Sequence, residues 1–268
     1  MMNLFALNQK TALVTGALGL IGKKHCEALA AAGANVIVAD INVDEVQQFA
    51  QQLGDNHLGL AVDVTSKQSL IDALNTILDK YDSLDILVNN AAINDKFEDP
   101  AMAKELSAFE NYPLEAFQRS LNVNITGVFL SSQILGTHMA LQGSGSIINI
   151  ASTYGMVGPD QSIYRNAKGE QTFYKSAAYP VTKGAIINFT RFLAAYWGNT
   201  GVRVNTLSPG GVENGQTEDF IGNYSAKTLL GRMAKASDYQ GALVFLASEA
   251  SAYMTGANLV VDGGWTAI

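Results

Sequence analysis

The stretch Thr11-Ala12-Leu13-Val14-Thr15-Gly16-Ala17-Leu18-Gly19-Leu20-Ile21-Gly22 decides how this chain folds. Thr11 to Thr15 is a short apolar, β-prone run, and from Gly19 to Ala32 the apolar positions recur at helical spacing. Glycines at the junction allow a tight turn and let a ligand approach the backbone. The helix start then offers free N–H groups and a positive dipole end, which suit the pyrophosphate of a dinucleotide. Gly16, Gly19, Leu20, Ile21 and Gly22 are therefore candidate cofactor-binding residues. A glycine trio alone is weak, since turn glycines are common; its place between strand and helix gives it weight.

The alternation continues outward. Asn35–Ala39, His57–Val62 and Leu84–Val88 read as strands, with Val43–Leu53 and Ser66–Lys80 as helices between them. Pro113–Leu141 reads as a long helical stretch, Ser146–Ala151 as a buried strand, Ala177–Asn199 as a helix and Val202–Leu207 as a strand. A helix near Asp238–Ser248 and a closing strand, Asn258–Val261, complete the pattern. This predicts an α/β fold: a Rossmann-type, doubly wound, about seven-stranded parallel sheet with helices on both faces. No linker, repeat or low-complexity tract divides residues 1–268, so one domain is expected. Segments near 93–111, 158–176 and 210–225 interrupt the economy of short links, and loops of that kind are expected to shape a substrate site.

Composition narrows the partners. Hydrophobic residues make up 48% of the chain and charged residues 15%, which predicts a large core. The net charge of −7, with scattered Lys and Arg, speaks against a nucleic-acid surface. Cys26 stands alone and is expected to pack in a helix; His25, His57 and His138 lack ligand spacing, so no metal site is expected. Residues 1–10 do not read as a secretory signal, and no run approaches the roughly 20 apolar residues of a membrane span. A cytoplasmic protein without membrane partners is the expectation.

Asp40 ends the second strand, where a carboxylate can accept hydrogen bonds from adenosine ribose hydroxyls and repel a 2′-phosphate; this favours NAD over NADP. The alternative is that Asp40 caps the next helix. Asp63-Val64 ends the third strand, where a carboxylate can accept from the adenine amino group, or Asp63 is an ordinary turn residue. In Asn89-Asn90-Ala91-Ala92, Asn side chains can satisfy backbone groups between strands, and small alanines leave room for a ribose.

Tyr179 and Lys183 lie four residues apart at the start of an apolar-periodic helix and so share a face. A free phenol ionises near pH 10, but an ammonium and a cationic nicotinamide beside it would favour phenolate. Ser152, just past a strand end, can hydrogen-bond a reacting oxygen. The glycine loop, Asn89-Asn90-Ala91, Ser152, Tyr179-x-x-x-Lys183, Arg203-Val204-Asn205, Ser208-Pro209-Gly210 and Val261-Asp262-Gly263-Gly264 occur in the order found in short-chain dehydrogenases/reductases. The resemblance covers essentially the whole chain. It implies a catalytic set of Ser152, Tyr179, Lys183 and Asn124, with Asn124 holding a water for proton relay. It also implies cofactor contacts at Asn90, Ala91, Tyr179, Lys183, Pro209, Gly210 and Val212, and a homo-oligomer, tetramer favoured over dimer.

Tyr164 and Lys168 form a rival Tyr-x-x-x-Lys. Lys168 leads into Gly169-Glu170-Gln171 rather than a helix, which favours Tyr179 and places Tyr164 in an insertion beside the substrate. The chain departs from the family pattern where Leu20 takes the middle glycine position, Ala92 replaces a glycine and Asn214 stands where threonine is common. The expected reaction is hydride transfer between a secondary alcohol and a ketone. The polar insertion (Asp160, Gln161, Arg165, Asn166, Lys168, Glu170, Gln171) and the later Glu213, Asn214 and Gln216 favour a sugar-derived substrate, unless these are merely solvated loop residues. The insertion also resembles that of oxidoreductases from bacterial surface-glycan and flagellin-modification pathways. The alternatives are a 3-ketoacyl thioester reductase using NADPH and a non-enzymatic nucleotide sensor.

Overall fold

The computed structural model describes residues 4–94 and 100–268. Strands β1 (Thr11–Thr15), β2 (Asn35–Asp40), β3 (Leu58–Ala61), β4 (Ile86–Asn89), β5 (Gly145–Ile150), β6 (Val202–Pro209) and β7 (Asn258–Val261) form one parallel sheet in the order β3-β2-β1-β4-β5-β6-β7. Around it run α1 (Leu20–Ala31), α2 (Val43–Leu53), α3 (Lys67–Tyr81), α4 (Pro100–Ser107), α5 (residues 114–142), α6 (Ala178–Trp197), α7 (Glu218–Ser225) and α8 (Gln240–Ala247). This is the expected seven-stranded Rossmann-type architecture.

The central strands are buried on both faces because helices cover each, and side-chain alternation decides which helix each residue meets. Ala12 and Val14 of β1 face one layer with Cys26 and Leu29 of α1, Val46 of α2 and Leu243 of α8. Leu13 faces the other layer, with Leu70 and Ile77 of α3, Leu135 and Met139 of α5 and Trp197 of α6. Complete burial of a side chain such as Leu13 stabilises the fold by about 1.5–3 kcal/mol. Caps set the entry of several helices: Asn42 accepts from Glu45 N–H before α2, and Ser66 from Ser69 N–H before α3.

Three features differ from the sequence expectation. The 93–111 segment, of which 95–99 lie outside the described residues, is not simply a loop: α4 starts with proline, which suits a first helical position. The 210–225 segment likewise contains α7, capped by Thr217. In addition, α5 is interrupted by two π-helical turns, Asn122–Thr126 and Ser132–Gly136. Such turns are frequent at functional sites, and the first of them carries Asn124.

Candidate active site

Strand order reverses on either side of β1 and β4, so the connections leave their carboxyl ends in opposite directions and open a cleft there. The cleft encloses about 1420 Å³. Gly16, Gly19, Leu20, Ile21, Gly22, Asp40, Asp63, Val64, Asn90 and Ala91 line its first half. Ser152, Tyr179, Lys183, Pro209, Gly210 and Val212 line the second.

The glycine turn is stitched to β4. Thr15 Oγ1 accepts from the N–H groups of Asn90 and Ala91, each at 3.1 Å. Asn90 Nδ2 donates to the carbonyls of Thr15 at 3.0 Å and Gly16 at 2.9 Å. The chain is so close here that a Cβ on Gly16, whose φ is +61°, would lie 2.6 Å from Ala91 Cα. Helix α1 then begins after Gly19 with no side-chain cap and no acid in its first turn. Its N-terminal N–H groups border the cleft, so a dinucleotide pyrophosphate fits this cradle.

Asp40 does not cap α2; Asn42 does. Its Oδ2 accepts from Leu18 N–H at 3.1 Å and its Oδ1 from Ile41 N–H at 2.8 Å, so the carboxylate shapes the glycine turn while facing the cleft. Asp63 has the turn role as well: its Oδ1 accepts from Thr65 N–H at 2.8 Å and Thr65 Oγ1 at 2.7 Å.

At the other end, α6 begins at Ala178, which sets Tyr179 and Lys183 one turn apart beside the end of β5. Ser152 accepts from Tyr154 N–H at 3.2 Å and lines the cleft together with Tyr179. Lys183 Nζ donates to the Ile150 carbonyl at 2.8 Å and sits 5.8 Å from the Tyr179 ring centre. Burial raises the phenol above its usual value, and the Ser152 hydrogen bond lowers it in part. Burial also pulls Lys183 down to about 8. In the protein alone, then, desolvation holds Tyr179 as the acid.

Asn124 is buried but is absent from the cleft wall. Its Nδ2 donates to the Ile93 carbonyl at 2.9 Å and to Thr182 Oγ1 at 3.2 Å, and its Oδ1 accepts from Ile93 N–H at 2.8 Å. Both amide protons are thereby used, so the side chain ties the chain after β4 to α6.

The rival pair separates. Tyr164 packs between Phe173 and Phe220, with ring centres at 5.3 and 5.2 Å, while Lys168 is exposed in a turn. The insertion's polar residues mostly fold the insertion itself. Gln161 brackets the Lys175 backbone with bonds of 2.8 and 3.2 Å; Gln171 bonds the carbonyls of Gln161 and Phe173, each at 2.7 Å. The surface this leaves toward the cleft is mixed: the rings of Tyr164 and Phe173, with Tyr154, Phe220 and Tyr224 nearby, stand beside Arg165, Asn166, Thr172 and Lys175. Sequence reading missed Tyr154, Phe173, Phe220, Tyr224 and Lys175. Only Lys175 carried a local signal, since it precedes Tyr179 by the same four residues that separate Tyr179 from Lys183. Among the described residues, no group of three His, Cys, Asp or Glu could hold a metal, and no helix is long and apolar enough to cross a membrane.

A parallel sheet with a nucleotide cradle at its switch point, and a tyrosine between serine and lysine at the same edge, defines a nucleotide-dependent oxidoreductase. The chain belongs to the short-chain dehydrogenase family, whose family model, described as "short chain dehydrogenase", matches residues 10–223. It is an enzyme of that family acting on CH–OH groups. It is 35% identical to D-threitol dehydrogenase of Mycolicibacterium smegmatis, over 98% of this chain and 95% of that one. It is also 35% identical to a 3-alpha-(or 20-beta)-hydroxysteroid dehydrogenase of Mycobacterium tuberculosis, over 96% and 90%. Among solved structures, a gluconate 5-dehydrogenase from Burkholderia cenocepacia J2315 in complex with NADP and tartrate superposes with a TM-score of 0.86 at 28% identity, covering 99% and 98% of the two chains. A short chain dehydrogenase from Leptospira borgpetersenii with bound NAD+ gives 0.86 at 33%, covering 99% and 96%. These relatives carry the family and the reaction on alcohols; they do not carry the likeness to surface-glycan enzymes.

Proposed function

We propose that the chain interconverts a secondary alcohol and a ketone on a polar, polyol- or sugar-acid-like substrate, with NAD(H) as cofactor. The observation that carries the reading is the convergence of Ser152, Tyr179 and Lys183 on one cleft wall, the last two one helical turn apart on α6. The bound dinucleotide supplies the hydride acceptor. Ser152 holds the substrate oxygen, Tyr179 takes the hydroxyl proton, and Lys183, anchored on the Ile150 carbonyl, fixes the cofactor ribose and favours the phenolate. Asn124 keeps the chain after β4 in register with α6.

The adenosine end supports NAD. Asp40, Ile41 and Asp63 stand there, whereas the basic residues that line the cleft, Arg165, Lys175 and Lys183, come from the insertion and α6. A 2′-phosphate would meet the Asp40 carboxylate without a compensating cation among the described residues. For the substrate, threitol and gluconate are what similar enzymes are named for. The aromatic wall also suits a second reading, a cyclic apolar alcohol, in keeping with the hydroxysteroid relative. A location in the cytoplasm and a homotetramer belong to the same proposal.

Titration of fluorescence with NADH and NADPH tests the cofactor. NADH is expected to bind at least about tenfold more tightly, and Asp40→Asn, which keeps an acceptor for the Leu18 N–H, to erase most of that preference. Tighter NADPH binding would overturn the NAD assignment. A screen of polyols and sugar acids against steroid alcohols and 3-hydroxyacyl thioesters then tests the substrate class, and turnover confined to the latter two would reject it.

A further inference from the structure

The ammonium nearest the Tyr179 ring is not that of Lys183. Lys175 Nζ lies 4.1 Å from the ring centre, against 5.8 Å for Lys183. A cation over an aromatic face is attracted by the ring even when neutral, and more strongly once the phenol ionises. The two lysines flank the tyrosine at equal sequence intervals, but only Lys183 is on α6; Lys175 precedes that helix and needs another support.

The insertion provides it. Gln161 bonds both the N–H and the carbonyl of Lys175, at 2.8 and 3.2 Å. Gln171 holds Gln161 and Phe173 through their carbonyls, and Tyr174 N–H donates to Ser107 Oγ at 3.0 Å. The backbone from Phe173 to Lys175 is thus braced from two sides. The ammonium itself donates to Asn94 Oδ1 at 2.8 Å, at the start of the 93–111 segment. These bonds aim a long, flexible side chain at one ring.

We propose that Lys175 is a second activating cation, held on the face of Tyr179 by the insertion, where it stabilises the phenolate and sets the pH at which the enzyme accepts the substrate proton. The inference rests on Tyr179 being the acid/base and gives the 158–176 insertion a task beyond enclosing substrate. The other described groups that face Tyr179 are Ser152 from the end of β5 and the phenols of Tyr154, Tyr164 and Tyr224, none of them cationic. Lys183 titrates near 8 because it is buried, so its charge fades as the solution becomes alkaline. A second cation extends phenolate stabilisation into that range. Lys175 acts through Tyr179 and is in that sense a positioning residue.

The test is a tyrosinate difference-absorbance titration with saturating NAD+ (NADP+ should that bind more tightly), subtracting the Tyr179→Phe signal to isolate one phenol. With the cation gone, Lys175→Met is expected to ionise Tyr179 about one pH unit higher than wild type, a tenfold change in proton affinity. Lys175→Arg retains the charge and is expected to restore the wild-type midpoint, and Asn94→Ala, which loosens the tether, to fall between them. Coincident midpoints for wild type and Lys175→Met would overturn the proposal, as would an Arg variant that behaves like Met. Should Lys175→Met fail to fold, the Arg and Asn94→Ala titrations still decide it. Full turnover in Tyr179→Phe would remove the acid/base reading itself, a failure visible independently of the titration.

Discussion

Tyr179 is pulled two ways: burial favours its neutral form, and the Ser152 hydrogen bond favours the phenolate. Because burial dominates in the protein alone, ionisation has to come with a cationic nicotinamide in place, and linkage then requires oxidised cofactor to bind more tightly as pH rises. Tyr179→Phe is expected to lower turnover by about 10²–10⁴-fold while leaving reduced-cofactor binding intact, and to abolish that pH dependence of oxidised-cofactor affinity. Calorimetric titration at several pH values measures both; an unchanged slope in the variant would assign the proton to another group. That Ser152, Tyr179 and Lys183 meet on one cleft wall was legible in residue type and spacing. That the Asn124 amide is held by Ile93 and Thr182 is visible only in the fold. Lys175 and the aromatic wall were hidden because the insertion has no periodicity from which side-chain directions could be read.

At the scale of elements, short apolar runs and the 3.6-residue period placed every strand of the sheet and most helices, with ends shifted by a residue or two, because two-sided burial makes the strands near-continuous apolar runs. The π turns of α5 were not read from the pattern, because each slips the 3.6-residue period by about one residue and the short segments between them are too brief to fix a phase. Helix α1 illustrates a different limit. His25 was expected to be no metal ligand, yet nothing in the sequence said that its ring would be fully buried with neither nitrogen hydrogen-bonded. Burial lowers its pKa to about 4. Since this lies below the unfolded value near 6.5, the associated stability is complete above pH 6.5 and lost as pH falls through about 4. The loss totals roughly 3 kcal/mol. Urea midpoints collected from pH 7 to pH 4 are expected to show this slope in the wild type and to flatten in His25→Leu. If the slope is the same in both, acid sensitivity in this window belongs to other groups.

For the whole molecule, the two helical layers are unequal in what they leave outside. On the layer built by α3, α5 and α6, a ladder of rings climbs from Phe129 through Phe189 and Phe192 to Tyr196, with successive centres 6.2, 6.1 and 5.9 Å apart. Phe192 and Tyr196 are 59% and 68% exposed, and Leu114, Phe129 and Val181 add apolar surface on the same two helices. Exposed apolar surface of this kind is expected to serve self-association, and a two-fold arrangement would bring like helices together. Substitution of Phe192 by Glu places a charge within the ladder without touching the sheet, the cradle or Tyr179. By sedimentation, the wild type is expected to run as an oligomer, a tetramer by preference, and Phe192→Glu as a smaller species with its cofactor affinity preserved. A wild-type monomer would detach the patch from self-association. A variant that dissociates and also loses turnover would show that assembly supports the cleft: α6, which carries Phe192 and Tyr196, also begins with Tyr179 and Lys183, so pressure on one end of a single rigid helix reaches the other.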